Sequence, residues 1–159
     1  MHNGKMLENI VGRPCIGAVA QHETGGDLLL HFASWQSYED PPDENLLASE
    51  RGAWSLMVLC PWRLDSFAEV ITDWRAVADR GSASRDRYLI LEGLSVEEVD
   101  LQYPGLDITI RFSRGYVLKT LCDSNGKTSD CWYLLMPDES TLVARRNYRL
   151  EVEPPGPTI

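Results

Sequence analysis

The residues able to do chemistry are few, and they gather into no catalytic motif. The histidines are His2, His22 and His31. His2 lies in a terminus expected to fray, His22 lies beside a turn, and His31 occupies the polar-facing phase of an alternating segment, which predicts a surface position. No G-x-S-x-G elbow is present, and no nucleophile is marked as a partner for any histidine. Asp27 and Asp107 recur at matching places, as a symmetric acid/base pair would. Each, however, stands where a turn enters a strand, a place at which aspartate ordinarily accepts from nearby backbone amides. The four cysteines, Cys15, Cys60, Cys122 and Cys131, form no C-x-x-C pair, which speaks against a zinc knuckle and a redox dithiol. Buried, reduced thiols are expected, even for Cys122 and Cys131, which flank DSNGKTSD and could face each other across a hairpin. Neither H-E-x-x-H nor a D-x-D-x-D-G loop occurs, and ETGGD and SRGY read as turns rather than phosphate loops. The expectation is a protein with no catalytic residues, no metal and no cofactor.

The elements positioning these residues are mostly strands. DLLLHF, residues 27–32, recurs as DITIRF, residues 107–112, at an offset of 80, with apolar residues at alternate positions in both. Upstream the offset is 81: Leu7, Ile10 and Gly12 match Tyr88, Leu91 and Gly93, and Ala18, Ala20 and His22 match Val99, Leu101 and Tyr103. Downstream, Trp54 matches Trp132 and Leu64 matches Leu142 at an offset of 78. These matches predict a mainly β (α+β) fold of two tandem antiparallel units from an internal duplication, 5–80 and 84–150, packed as one domain. Each unit begins with a short helix stopped by glycine, and Ser84 is a candidate cap for the second. Gly115 turns DITIRF into a hairpin, and Asn125-Gly126 marks a further turn. Residues 65–80 fit either a helix or a strand, with a strand extending the first sheet preferred. Residues 151–159, rich in proline, are expected to form a disordered tail.

The chain has 159 residues, of which 43% are hydrophobic, enough for one well-packed domain. Its net charge of -9 disfavours nucleic acid and anionic membranes as partners and favours a basic protein. Neither a signal peptide nor a membrane-spanning run is recognisable, so a cytoplasmic location is expected. Trp54, Trp62 and Trp132 fall in strand patterns and read as core. Arg145, Arg146 and Arg149 form a basic cluster that reads as a solvated edge strand.

One stretch departs from the matching pattern. WQSYEDPPDENLLASERG, residues 35–52, places Trp35 and Tyr38 ahead of Glu39, Asp40, Asp43, Glu44 and Glu50, with two prolines that preclude a regular ladder. Its counterpart in the second unit is the regular SRGYVLKTLCDSNGKTSD. These seven aromatic and acidic residues are the candidate partner-binding residues; a solvated insertion is the alternative.

The run GAWSLMVLCPWRL, with L-x-G, a D-L-x-L-x-F strand and a final W-x-L strand, resembles an uncharacterised family of small bacterial proteins, many from actinobacteria. The resemblance runs from Gly12 to about Val143. In size, acidity and lack of catalytic residues, such families resemble the immunity proteins that neutralise partner toxins. The resemblance implies a non-catalytic inhibitor of a basic toxin. Two other classes remain open from the residues alone: an enzyme or ligand-binding protein with a site between the units, drawing on Asp27, Asp107 and His31, and an architectural subunit pairing through an exposed sheet edge.

Overall fold

In the computed structural model, residues 2–33, 54–122 and 130–156 are described. Alternating apolar residues pair off into antiparallel strands that bury one phase and expose the other. A six-stranded sheet has the order β1 (Cys15–Gln21), β2 (Asp27–Phe32), β3 (Trp54–Val58), β9 (Trp132–Leu135), β10 (Thr141–Ala144), β11 (Leu150–Glu153). A five-stranded sheet has the order β6 (Val96–Gln102), β7 (Asp107–Phe112), β8 (Val117–Thr120), β4 (Trp62–Asp65), β5 (Val70–Asp73). The chain crosses between the sheets at Cys60-Pro61 and crosses back between β8 and β9. Each sheet therefore joins three strands from one half of the chain to strands from the other. Their inner faces meet in one core that includes Phe32, Leu56, Trp62, Phe112, Leu118 and Trp132.

The two sheets pair their strands alike. Hairpin β1–β2 sets Ala18 opposite Leu30 and Ala20 opposite Leu28, and β6–β7 sets Val99 opposite Ile110 and Leu101 opposite Ile108. Both registers shift near the entry, between Cys15 and Gly17 and between Val96 and Glu98. Beyond the hairpins, Leu56 faces Leu134 and Val58 faces Trp132, while Leu118 faces Leu64 and Thr120 faces Trp62. The counterpart of Trp132 is thus Trp62 rather than Trp54, and that of Leu134 is Leu64. The downstream offset is 70, not the 78 expected. Period-two patterns headed by tryptophan occur at both Trp54 and Trp62, and only hydrogen-bonded pairing separates them.

Short 3-10 helices close the sheet edges reciprocally. After η1 (His2–Ile10), Gly12 donates to Val96 O at 2.7 Å and Val96 donates to Arg13 O at 3.0 Å. After η3 (Arg87–Leu91), Gly93 donates to Cys15 O at 2.7 Å and Cys15 donates to Leu94 O at 2.8 Å. Gly12 and Gly93 have φ of 85° and 90°, which a residue without Cβ adopts freely. Asp86, not Ser84, precedes η3, and the Ser84 hydroxyl pairs instead with that of Ser82 at 3.2 Å.

Residues 65–80 supply both a strand and a helix. β5 joins the five-stranded sheet, which the second half of the chain begins, and helix α1 (Trp74–Ala78) follows, capped by Asp73 accepting from the Ala76 N–H at 2.9 Å. The expected tail is shorter at its start, because residues 151–153 are held in β11 against β10. No helix among the described residues is long and apolar enough to cross a membrane. Asn125 and Gly126 lie outside the described residues.

Candidate functional site

The titratable groups singled out in the sequence are dispersed and engaged with their own surroundings. Asp107 opens β7 and accepts from the Cys122 N–H at 2.6 Å, the turn-side role expected of it. Asp27 opens β2 in the other sheet. His31 lies on the outer face of the six-stranded sheet, half-buried, with its Nδ1 2.8 Å from the Ser55 hydroxyl. The sequence does not mark this pair, because residues 24 apart become neighbours only through the β2–β3 ladder. Ser55 is buried at 6% exposure, so the contact satisfies a hydroxyl withdrawn from water. Gly17 leaves room for the ring: a Cβ there would stand 3.3 Å from His31 Cδ2. His22 accepts from Arg80 Nε at 2.7 Å.

All four cysteines are free and buried. Burial pushes the Cys15 thiol up to about 12. Cys60, Cys122 and Cys131 meet where the chain crosses between sheets, and Cys131 Sγ donates to Cys122 O at 3.4 Å. Cys122 lowers the Cys60 thiol, but Cys131 and burial outweigh it and push it up to about 12. Cys122 is raised too, by Cys131 first and then by Cys60 and burial. Thiols so raised stay protonated at neutral pH and are poor nucleophiles. No group of three metal-ligating side chains able to hold a metal ion exists among the described residues.

The core tryptophans hold the hairpin turns. Trp62 Nε1 donates to Gly26 O at 2.6 Å, and Trp132 Nε1 donates to Leu106 O at 2.9 Å, each acceptor lying one residue before the matched aspartate. Gly26 and Leu106 both have positive φ, 98° and 63°. Two clefts are small for ligand pockets, about 210 Å³ between η1 and β6 and about 120 Å³ beside Trp62 and Trp74. Arg145 is bound by Asp130 at 3.0 Å, by Glu151 at 3.1 Å and by Glu153. Glu153 first, then Glu151, holds its guanidinium protonated beyond the ordinary value. Of the expected basic cluster, this arginine is therefore locally neutralised.

No protein-family model, curated protein or solved structure matches this chain. The residues themselves carry the argument. Trp35, Tyr38, Glu39, Asp40, Asp43, Glu44 and Glu50 lie outside the described residues. The ladder nevertheless fixes the place of their segment in the chain. It joins Phe32 to Trp54, cross-strand partners in the β2–β3 pair, where the matching strands β7 and β8 are joined by residues 113–116 alone.

Matched positions differ most on the surface. Across the outer face of the six-stranded sheet, cross-strand partners run Val19, Leu29, Met57, Tyr133, Val143. The matching row on the five-stranded sheet runs Asp100, Thr109, Lys119, Arg63, Asp73. The helices at the edges differ in the same sense. Leu89 and Ile90 of η3 are exposed where η1 has Glu8 and Asn9, and Ile16 of β1 is exposed where β6 has Glu97. This contrast was available in the 81-residue alignment, since it needs only the unmatched residues between the matched ones.

Proposed function

We propose that the protein is a non-catalytic cytoplasmic binding protein of the immunity or antitoxin type, which neutralises a basic partner through the acidic segment from Trp35 to Glu50. In this reading the strand-for-strand correspondence of the halves descends from a tandem duplication, and the first half carries the insertion that gives it a partner. The observation that supports it best is the charge balance. Twenty-four acidic residues stand against 15 basic ones, and Arg63, Arg75, Arg87, Arg111 and Arg145 each lie within 4.0 Å of one of the protein's own carboxylates. The cationic surface is thereby muted and the acidic excess left to act at a distance. A toxin that works on nucleic acid or another anion must present cations, which such a surface attracts and aligns. Aromatic anchors beside the charges, Trp35 and Tyr38, supply the apolar contact that holds a complex once steered together.

The test is parallel capture from source lysate by the wild-type chain and by Asp40→Lys/Asp43→Lys/Glu44→Lys. The expected result is one basic protein retained by the wild type at low salt, released at high salt, and lost with the reversed charges. Equal retention by both, with the same salt dependence, overturns the assignment.

A further inference from the structure

We propose that the apolar end formed by β1, η3 and the β4–β5 turn is a self-association surface that pairs two copies of this chain into a closed dimer. η3 packs against both β1 and β5. On one side of it stand Ile16 and Val19, 42% and 46% exposed; η3 itself shows Leu89 and Ile90, 44% and 43% exposed. On the other side are Val70 and Phe67, the latter 94% exposed at the tip of a turn. That turn is rigid. The Ser66 hydroxyl accepts from the Ala68 and Glu69 N–H groups, and Ser66 N–H donates to Glu69 O. A phenylalanine held out into water on a fixed turn has no role in the core.

The matched end of the same molecule shows what the fold requires there. The residues corresponding to Leu89, Ile90, Ile16 and Val19 are Glu8, Asn9, Glu97 and Asp100, although Val11, Tyr103 beside Gly4, and Val152 of β11 are exposed at this end too. In the matched turn between β9 and β10, Pro137 stands where the β4–β5 turn carries Phe67, and Asp138 follows it where Ala68 follows Phe67. β11 continues the sheet beyond β10, whereas among the described strands none lies beyond β5. The backbone is thus satisfied by polar residues at these positions, and apolar ones serve something outside it.

Area and symmetry select the occupant. The six side chains expose on the order of 500 Å² of apolar surface, which is the nonpolar share of an interface burying about 800 Å² on each partner. The same elements carry charges of both signs, with Arg87 paired to Glu69 at 3.7 Å and Glu92 accepting from the Ala18 N–H at 3.1 Å, so the surface is not uniformly acidic despite the overall charge of -9. Two apolar ends on a pseudo-twofold molecule would propagate into open chains; charging one of them leaves a single face, and a single self-complementary face closes as a dimer.

Sedimentation equilibrium of the full chain over a wide concentration range tests this. The expected result is a dimer whose stability rises with salt, because screening relieves repulsion between two acidic copies. This is the reverse of the salt dependence expected for a basic partner, so the two proposals fail separately. Leu89→Glu/Ile90→Asn, which installs the residues of the matched end, is expected to weaken dimerisation about a hundredfold, each change counting twice across the axis. Ile16→Glu/Val19→Asp is the second variant should the first fail to fold by circular dichroism. A wild-type chain that stays monomeric at the highest concentration, or folded variants that dimerise as the wild type does, overturn the proposal.

Discussion

Val19, Leu29, Met57, Tyr133 and Val143 cross the outer face of one sheet, and Asp100, Thr109, Lys119, Arg63 and Asp73 cross the matching line on the other. The backbone pairing is the same in both. The inner faces also agree, with Leu28, Leu30, Leu56, Trp132 and Leu134 matched by Ile108, Ile110, Leu118, Trp62 and Leu64, all buried. The inner residues are alike in type, as a shared core requires, and the outer ones differ. The lesson is that the two halves act as mutual controls: agreement marks what the fold needs, and disagreement marks what it does not.

The largest expected effect tests whether the halves have been matched correctly. Trp62 and Trp132 are fully buried and make the same indole-to-carbonyl bond, whereas Trp54 is only partly buried and lies under Arg13, 5.4 Å from its ring centroid. Trp62→Ala and Trp132→Ala should each cost about 4 kcal/mol, from the lost burial and the cavity left behind. Trp54→Ala should cost about half that, since part of its surface already meets water. Urea denaturation of the three variants decides it: a cost for Trp54→Ala equal to that of Trp132→Ala, with Trp62→Ala mild, would restore the matching of Trp54 with Trp132.

A smaller effect sharpens the contrast of the outer faces themselves. Met57 and Lys119 occupy corresponding places, half-buried in one sheet and exposed in the other. Met57→Lys forces an ammonium among Leu29, Tyr133 and their neighbours and should cost about 2 kcal/mol. Lys119→Met places a thioether on a face already in water and should change stability by less than about 0.5 kcal/mol. Equal costs in thermal or chemical unfolding would mean that the two faces do not differ in environment.

How much of this was legible in the sequence follows from which signals are local. The two hairpins, their offset and the antiparallel class were readable because alternation and turn residues act over a few positions. The exchange of β4 and β9 between sheets was not, because W-x-L patterns do not say which sheet a strand enters. The strand and helix of residues 65–80 were both present in the pattern, and the Asp73 cap that divides them is visible only once β5 is paired. The acidic run of residues 39–50 is the most conspicuous charge feature of the sequence. The contrast between Ile16, Val19, Leu89 and Ile90 and their polar counterparts is quieter, since isolated apolar residues in short elements attract no notice without a matched position beside them.

The smallest effect lies inside the core, at one place where the halves disagree without an evident surface role. Thr72 and Leu142 face Leu64 and Leu134, which are themselves matched. Both residues are buried, and the Thr72 hydroxyl has no hydrogen-bond partner among the described residues. Desolvating a hydroxyl without return is unfavourable, and valine has the same shape without that group. Thr72→Val is therefore expected to stabilise the protein by about 1 kcal/mol, toward what Leu142 already supplies in the other half. A rise in the urea midpoint at unchanged m-value is the signature. A fall would mean that the hydroxyl is satisfied in solution by a bound water, and that this difference between the halves is a polar site rather than a residual flaw in packing.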